Sequence, residues 1–349
     1  MIEMLVAAAV AFGVTVVVTP FAIRFLRARN IGQFIQTEVE GHQHKQGTPT
    51  MGGIVMIVAV LIAYLVAKID LRNEAGAIAP GFRDFEVRGL LILLALVGMG
   101  VIGFIDDFSK VRRARNLGLK KRWKFLGQLA IASLFAWGAL ATDGISTELS
   151  FARPLGLELG WFYVVLVLVM LTGVSNGLNL TDGLDGLAAG SSALVFGAYV
   201  IISFWKFRNI DFYGSTSLEP AVMAAAITAA ALGFLWWNTA PAKVFMGDTG
   251  SNALGGALAA TALVTDTHLL LVVVGGLYVW ETVSVIIQVA AFRGWRRRVF
   301  LMAPVHHHYE LKGWPETTVI VRFWIISAIA IALGLGLFYA DFLAAGGGG

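Results

Sequence analysis

The sequence predicts an all-α polytopic membrane protein of about ten transmembrane helices, and three observations carry that prediction. Of its 349 residues, 58% are hydrophobic and only 14% are charged, a balance that a water-soluble chain of this size does not show. Charged residues nearly vanish over repeated stretches of about 18 to 25 residues, the length of helix that crosses a bilayer. The basic residues between those stretches collect on alternate loops, as membrane topology requires.

In chain order, the apolar segments fall near 4–25, 51–67, 89–105, 125–142, 160–179, 187–205, 219–237, 251–265, 268–291 and 318–340. The first has no small-residue cleavage site behind a short apolar region, so it reads as a retained span rather than a signal peptide. The eighth and ninth are joined only by Asp266, Thr267 and His268, and also fit one long bent element. Glu281 and Gln288 lie inside the ninth. With the first loop in the cytoplasm, the loops on that side hold 18 lysines and arginines against 7 on the other, which turns both termini outward, periplasmic or extracellular. Anchoring and attraction to anionic lipid heads account for most of these cations. Because they follow topology, the net charge of +4 does not signal a nucleic-acid partner. No repeat or linker divides the chain, which reads as a single domain over 1–349 with 340–349 as a flexible tail. The absence of cysteine removes disulfides, thiolate metal sites and cysteine nucleophiles together.

Five unusual segments, spread from residue 42 to residue 316, all land on the predicted cytoplasmic side. The first runs from His42 to Gly53 and leads into the second span; Thr48 or Thr50 fits as a helix cap. Capping leaves Lys45 and the flanking glycines unexplained, and a helix N-terminus beside a lysine is a ready phosphate site. The second is Asp106-Asp107, read as closing the third helix. Adjacent carboxylates there oppose the macrodipole and repel each other, so a cation must compensate. The following basic loop and a divalent metal are the candidates, and hard oxygen donors favour Mg²⁺ or Mn²⁺. The third, 176–186, carries Asn176, Asn179, Asp182 and Asp185 among glycines. Its aspartates share a face if they enter the next helix, either as caps or around a polar ligand such as a nucleoside. The fourth joins Asn238 to Phe245 and Asp248, where Asp248 opens the eighth helix and Phe245 is core or a face for a base. The fifth, 303–316, holds His306, His307 and His308, a soft-metal set or a proton-handling and phosphate-binding one; without cysteine and with many carboxylates the second reading is preferred. Together these groups suit phosphoryl transfer to a lipid at a membrane surface, where carboxylate-held Mg²⁺ neutralises phosphate and amide and aromatic groups hold a nucleotide.

At these residues the chain resembles the polyprenyl-phosphate N-acetylhexosamine-1-phosphate transferases over nearly its whole length. Two runs resemble the muramoyl branch of that family: Lys45-Gln46-Gly47-Thr48-Pro49-Thr50-Met51-Gly52-Gly53 and Pro304-Val305-His306-His307-His308-Tyr309-Glu310-Leu311-Lys312-Gly313-Trp314. The resemblance implies transfer of phospho-MurNAc-pentapeptide from UDP-MurNAc-pentapeptide to undecaprenyl phosphate in a bacterial cytoplasmic membrane, with release of UMP, a need for Mg²⁺ and a homodimer. It makes Asp248 the metal-binding aspartate, with Asp106 and Asp107 as the catalytic pair beside it and His306 as the essential histidine. It places Lys45, Thr50, Asn179, Asp182, Gly183, Leu184, Asp185, Asn238, Phe245, His307 and His308 along the nucleoside and phosphates, and Lys124 near the aspartates. One departure is Glu38-Val39-Glu40-Gly41, where the family carries a Gly-Pro-x-Ser stretch. A sister transferase using UDP-GlcNAc shares the aspartates but not the lysine and histidine runs. A secondary transporter would set its polar groups near the bilayer midplane, and here only Glu281 and Gln288 lie deep.

Overall fold

A computed structural model of the chain describes residues 1–29, 31–32, 45–72, 78–113, 118–142, 144–214 and 216–347. All ten apolar segments are helical. They correspond to α1 (Ile2–Ala28), α2 (Gly53–Ala67), α3 (Val87–Arg113), α4 (Lys121–Leu140), α5 (Phe162–Thr181), α6 (Leu187–Arg208), α8 (Glu219–Asn238), α9 (Gly247–Val264), the pair α10 (Leu270–Val274) and α11 (Gly276–Trp295), and α13 (Glu316–Ala344). Two short helices, α7 (Ile210–Tyr213) and α12 (Val305–Leu311), complete the set. Seven of these helices are long and apolar enough to cross a membrane by length and composition. The all-α expectation holds, with two short antiparallel strand pairs outside the helices, β1 (Ile69–Arg72) with β2 (Ile78–Phe82), and β3 (Glu148–Ser150) with β4 (Pro154–Glu158).

The outer helices are apolar on the outside. Leu5, Phe21 and Phe25 on α1, Ile286 on α11, and Ile329 and Leu333 on α13 are exposed, a surface that fits hydrocarbon rather than water. Inside, α9 is the hub, packed by α3, α5 and α2. It is buried at every position from Thr249 to Val264. A helix surrounded by protein needs small side chains for close approach rather than large apolar ones for lipid, and α9 is accordingly rich in Gly, Ala, Ser and Thr. That composition keeps it below the hydropathy of the outer spans. A second bundle sets α8 against α1 and α6.

Several local expectations are corrected. α3 continues to Arg113, so Asp106 and Asp107 lie within the helix rather than at its end, and the macrodipole is not what strains them. The eighth and ninth segments are not one bent element, because α9 stops at Val264 and the chain turns through Asp266, at φ 49°, before α10. α13 persists to Ala344, so 340–344 is helix rather than tail. Neither Thr48 nor Thr50 caps α2, whose N-cap is Gly52. The N–H groups of Gly52 and Gly53 are already taken by the carbonyls of Phe245 and Met246 at 2.9 and 3.0 Å, so this helix start offers a phosphate no bare donors there. Residues 38–41 and His42 lie outside the described residues.

Candidate active site

The second and fourth segments meet because α3 and α9 cross at almost no distance. A Cβ on Gly103 would stand 2.0 Å from the carbonyl oxygen of Asp248, so only glycine lets the backbones come this close. Asp106 and Asp107, three and four residues further along α3, are thereby brought onto Asp248 in the first turn of α9. One carboxylate oxygen from each lies within 4.8 Å of the others. Three negative groups at that spacing require compensation, and two lysines supply it. Lys110 Nζ lies 2.7 Å from Asp106 Oδ2, 3.6 Å from Asp107 Oδ1 and 3.1 Å from Asp248 Oδ2. Lys124 Nζ donates to Asp248 Oδ2 at 2.8 Å. The compensating cations come from the helices that flank the basic loop rather than from the loop itself, Lys110 from α3 and Lys124 from α4; Lys124 stands near the aspartates, and Lys110 was missed, although its i+3 and i+4 spacing from them was visible.

Each carboxylate is held in place. Leu119 N–H donates to Asp106 Oδ1 at 2.7 Å, and both the N–H and the hydroxyl of Thr249 donate to Asp107 Oδ2 at 2.9 and 2.8 Å. Asn179 donates to Asp248 Oδ1 at 2.9 Å. Burial opposes ionisation of Asp248, but Lys124, a hydrogen bond shared with Asp106, and Lys110 outweigh it and hold the carboxyl far below the usual range. Behind Asp248 a buried amide chain fixes the backbone: Asn252 Nδ2 donates to Asp248 O at 2.7 Å, Gln128 to Asn252 Oδ1 at 3.2 Å, and Asn176 to Gln128 Oε1 at 3.0 Å. Gln128 and Asn252 sit in spans and carry no motif, so sequence alone did not mark them.

The third segment does not place its aspartates on α6. Asp182 is the C-cap of α5, and Gly186, at φ 80°, starts α6 after Asp185. Asp185 is buried and closes a three-way contact: Lys45 Nζ lies 2.7 Å from its Oδ1 and 2.5 Å from Glu316 Oε1. Glu316 also accepts from Asp185 N–H at 3.0 Å, and Ala242 N–H donates to Asp185 Oδ2 at 2.8 Å. The first, third, fourth and fifth segments are joined at this point, and Glu316, in the first turn of α13, is a second residue that sequence reasoning passed over.

Asp182 is half-buried, and burial together with the charges of Asp248, Asp107 and Asp185 pushes its carboxyl up to about 8. A raised carboxyl contributes stability that is complete below its unfolded pKa, about 4, and is lost as pH rises through the folded value. Asp182→Asn keeps the neutral shape. In the ligand-free protein it should therefore melt above wild type, with the gap widening between pH 5 and pH 8; a gap that ignores pH would mean that another group titrates.

The histidines close the site from above. His306 is fully buried, and its Nε2 stands 2.3 Å from where a Cβ on Gly183 would lie, with His307 Nε2 at 3.3 Å from the same point. Glycine at 183 is what lets both rings reach this turn. His307 Nδ1 pairs with Glu310 at 2.7 Å. His308 turns elsewhere, its Nδ1 accepting from Leu301 N–H at 3.0 Å, so it ties its own loop. Leu184 packs with Leu187, Leu277, Val305 and Phe323 in a small core beneath the histidines. Asn238 is buried and donates to Val244 O at 2.9 Å, bracing the loop that presents half-buried Phe245. Phe245 N–H donates to Pro49 O at 2.7 Å, and Thr50 Oγ1 lies beside Gly247 close to Asp107.

Three carboxylates, two ammonium groups and a histidine pair gathered on a helical membrane scaffold suit the class of membrane-embedded phosphosugar transferases. In keeping with that class, the family model for Glycosyl transferase family 4 matches residues 89–266. The chain is 50% identical to a phospho-N-acetylmuramoyl-pentapeptide-transferase of Frankia alni over 99% of both chains. It is 46% identical to those of Saccharopolyspora erythraea, over 98% of each chain, and of Streptomyces griseus, over 98% and 99%. The chain belongs to the phospho-N-acetylmuramoyl-pentapeptide-transferase family.

Proposed function

We propose that this protein transfers phospho-MurNAc-pentapeptide from UDP-MurNAc-pentapeptide to undecaprenyl phosphate, giving lipid I and UMP, the first membrane step of peptidoglycan synthesis. The observation that carries the reading is the meeting of Asp106, Asp107 and Asp248 within 4.8 Å. The relatives' names favour the muramoyl donor over UDP-GlcNAc. On this reading the chain crosses a bacterial cytoplasmic membrane ten times, with both termini outward and the site facing the cytoplasm, and works as a homodimer.

The donor set fits Mg²⁺, since clustered carboxylate oxygens are hard ligands and their charge already draws two ammonium groups. Asp248 would hold the ion with Asp106 and Asp107, and when bound it offsets phosphate charge. Lys110 and Lys124 present ammonium groups to pyrophosphate oxygens at the same point. The Asp106–Asp107 pair orients the lipid phosphate or takes its proton. Attack at the sugar-bearing phosphorus breaks the phosphoanhydride and releases UMP. Asn179, Asp182 and Phe245 line the nucleoside, while the Lys45–Asp185–Glu316 contact sets the rim of its pocket.

The test is UMP release by purified protein in nanodiscs containing undecaprenyl phosphate. Release with UDP-MurNAc-pentapeptide, lost in EDTA and restored by Mg²⁺, is the expected result. Release with UDP-GlcNAc alone would replace the reading with the sister transferase; solute flux with no lipid-linked product would replace it with a transporter.

A further inference from the structure

Glu281 lies inside the ninth apolar segment, and nothing in the reaction as outlined uses it. It sits on α11 with its side chain fully buried, and it meets an equally buried partner: Glu281 Oε1 lies 3.1 Å from His306 Nδ1. Glu281 Oε2 and His306 Nε2 have no hydrogen-bond partner among the described residues. A second polar residue of the same helix serves the same loop. Gln288 Oε1 accepts from Val299 and Phe300 N–H at 3.0 Å each, and its Nε2 donates to Phe300 O at 2.9 Å. The polar groups inside α11 are therefore fitted to the histidine loop rather than to a path through the bilayer.

Resting on the transferase reading, we propose that Glu281 is the positioning residue of His306. Its carboxylate takes the Nδ1 proton in a hydrogen bond, and this fixes both the ring orientation and the tautomer. The lone pair is then at Nε2, which faces the Gly183 turn where Asp182 and the nucleotide site begin. Without Glu281 the ring has no partner at Nδ1, and the proton distributes over both nitrogens.

The experiment uses ¹⁵N-histidine-labelled full chain in nanodiscs, with the His306 signals assigned by their loss in His306→Gln. The expected spectrum at neutral pH has Nδ1 protonated and Nε2 bare in wild type, and a tautomer mixture in Glu281→Gln. In the UMP-release assay, Glu281→Gln should lower kcat about 10- to 100-fold with KM nearly unchanged, and should add nothing to the loss in His306→Ala. Identical spectra in wild type and Glu281→Gln, or equal losses in the wild-type and His306→Ala backgrounds, would overturn the proposal. The spectra read independently of turnover, so a wild-type protein that releases no UMP would sink the transferase reading while leaving this assignment measurable.

Discussion

Asp248→Asn should reduce UMP release by about three orders of magnitude or more, the scale on which losing one charged group at a phosphoryl centre costs about 4 kcal/mol. Asp248 is where the site's interactions converge. Its Oδ2 receives Lys124 at 2.8 Å and Lys110 at 3.1 Å, and its Oδ1 receives Asn179 at 2.9 Å. Asparagine removes the negative charge that both lysines need and aims an amide N–H₂ at one of these donors. The variant should still fold, because Asn252 continues to donate to the unchanged carbonyl of residue 248. The checks are a Mg²⁺ titration of turnover and a melting curve. Near-normal turnover with unchanged Mg²⁺ dependence would remove Asp248 from the metal role.

Gly103→Ala should cost at least about 10²-fold in turnover without altering any group that touches substrate. The added methyl would stand 2.0 Å from Asp248 O and 2.7 Å from Thr249 N. Those are backbone atoms, so no side-chain rotation relieves the clash, and α3 must move away from α9. The shift separates Asp106 and Asp107 from Asp248, and a displacement of about 1 Å in a preorganised centre is enough to lose 10²-fold. Gly173→Ala, on a part of α5 where a Cβ meets nothing within 4 Å, is the matched control and should retain activity. A Gly103→Ala enzyme as fast as the control would mean that the helix crossing does not set the carboxylate spacing.

Much of the site was legible because its chemistry is carried by residue types that fit poorly elsewhere in a lipid-spanning chain. Paired aspartates, a lysine in a glycine-rich run and three adjacent histidines stand out against apolar sequence, and topology put them on one face. What stayed hidden were the partners. Lys110 stood among the cytoplasmic cations counted for topology, Glu316 closed the fifth segment without a role, and Gln128 and Asn252 were not singled out. Each acquires a role only through a contact across the fold: Lys110 with three carboxylates, Glu316 with Lys45, and the two amides with each other.

The division follows from physics. Hydrophobicity acts locally along the chain, so by itself it marked the ten apolar segments that fold as helices, while the unusual polar runs between them marked the residues of the candidate site. Distances between segments far apart in sequence depend on helix packing, which is set by the absence of a side chain as much as by its presence. Only the tertiary structure could decide that Gly103 brings the aspartates onto Asp248, that the first donors of α2 are already taken by backbone, and that the deep acid Glu281 belongs to His306.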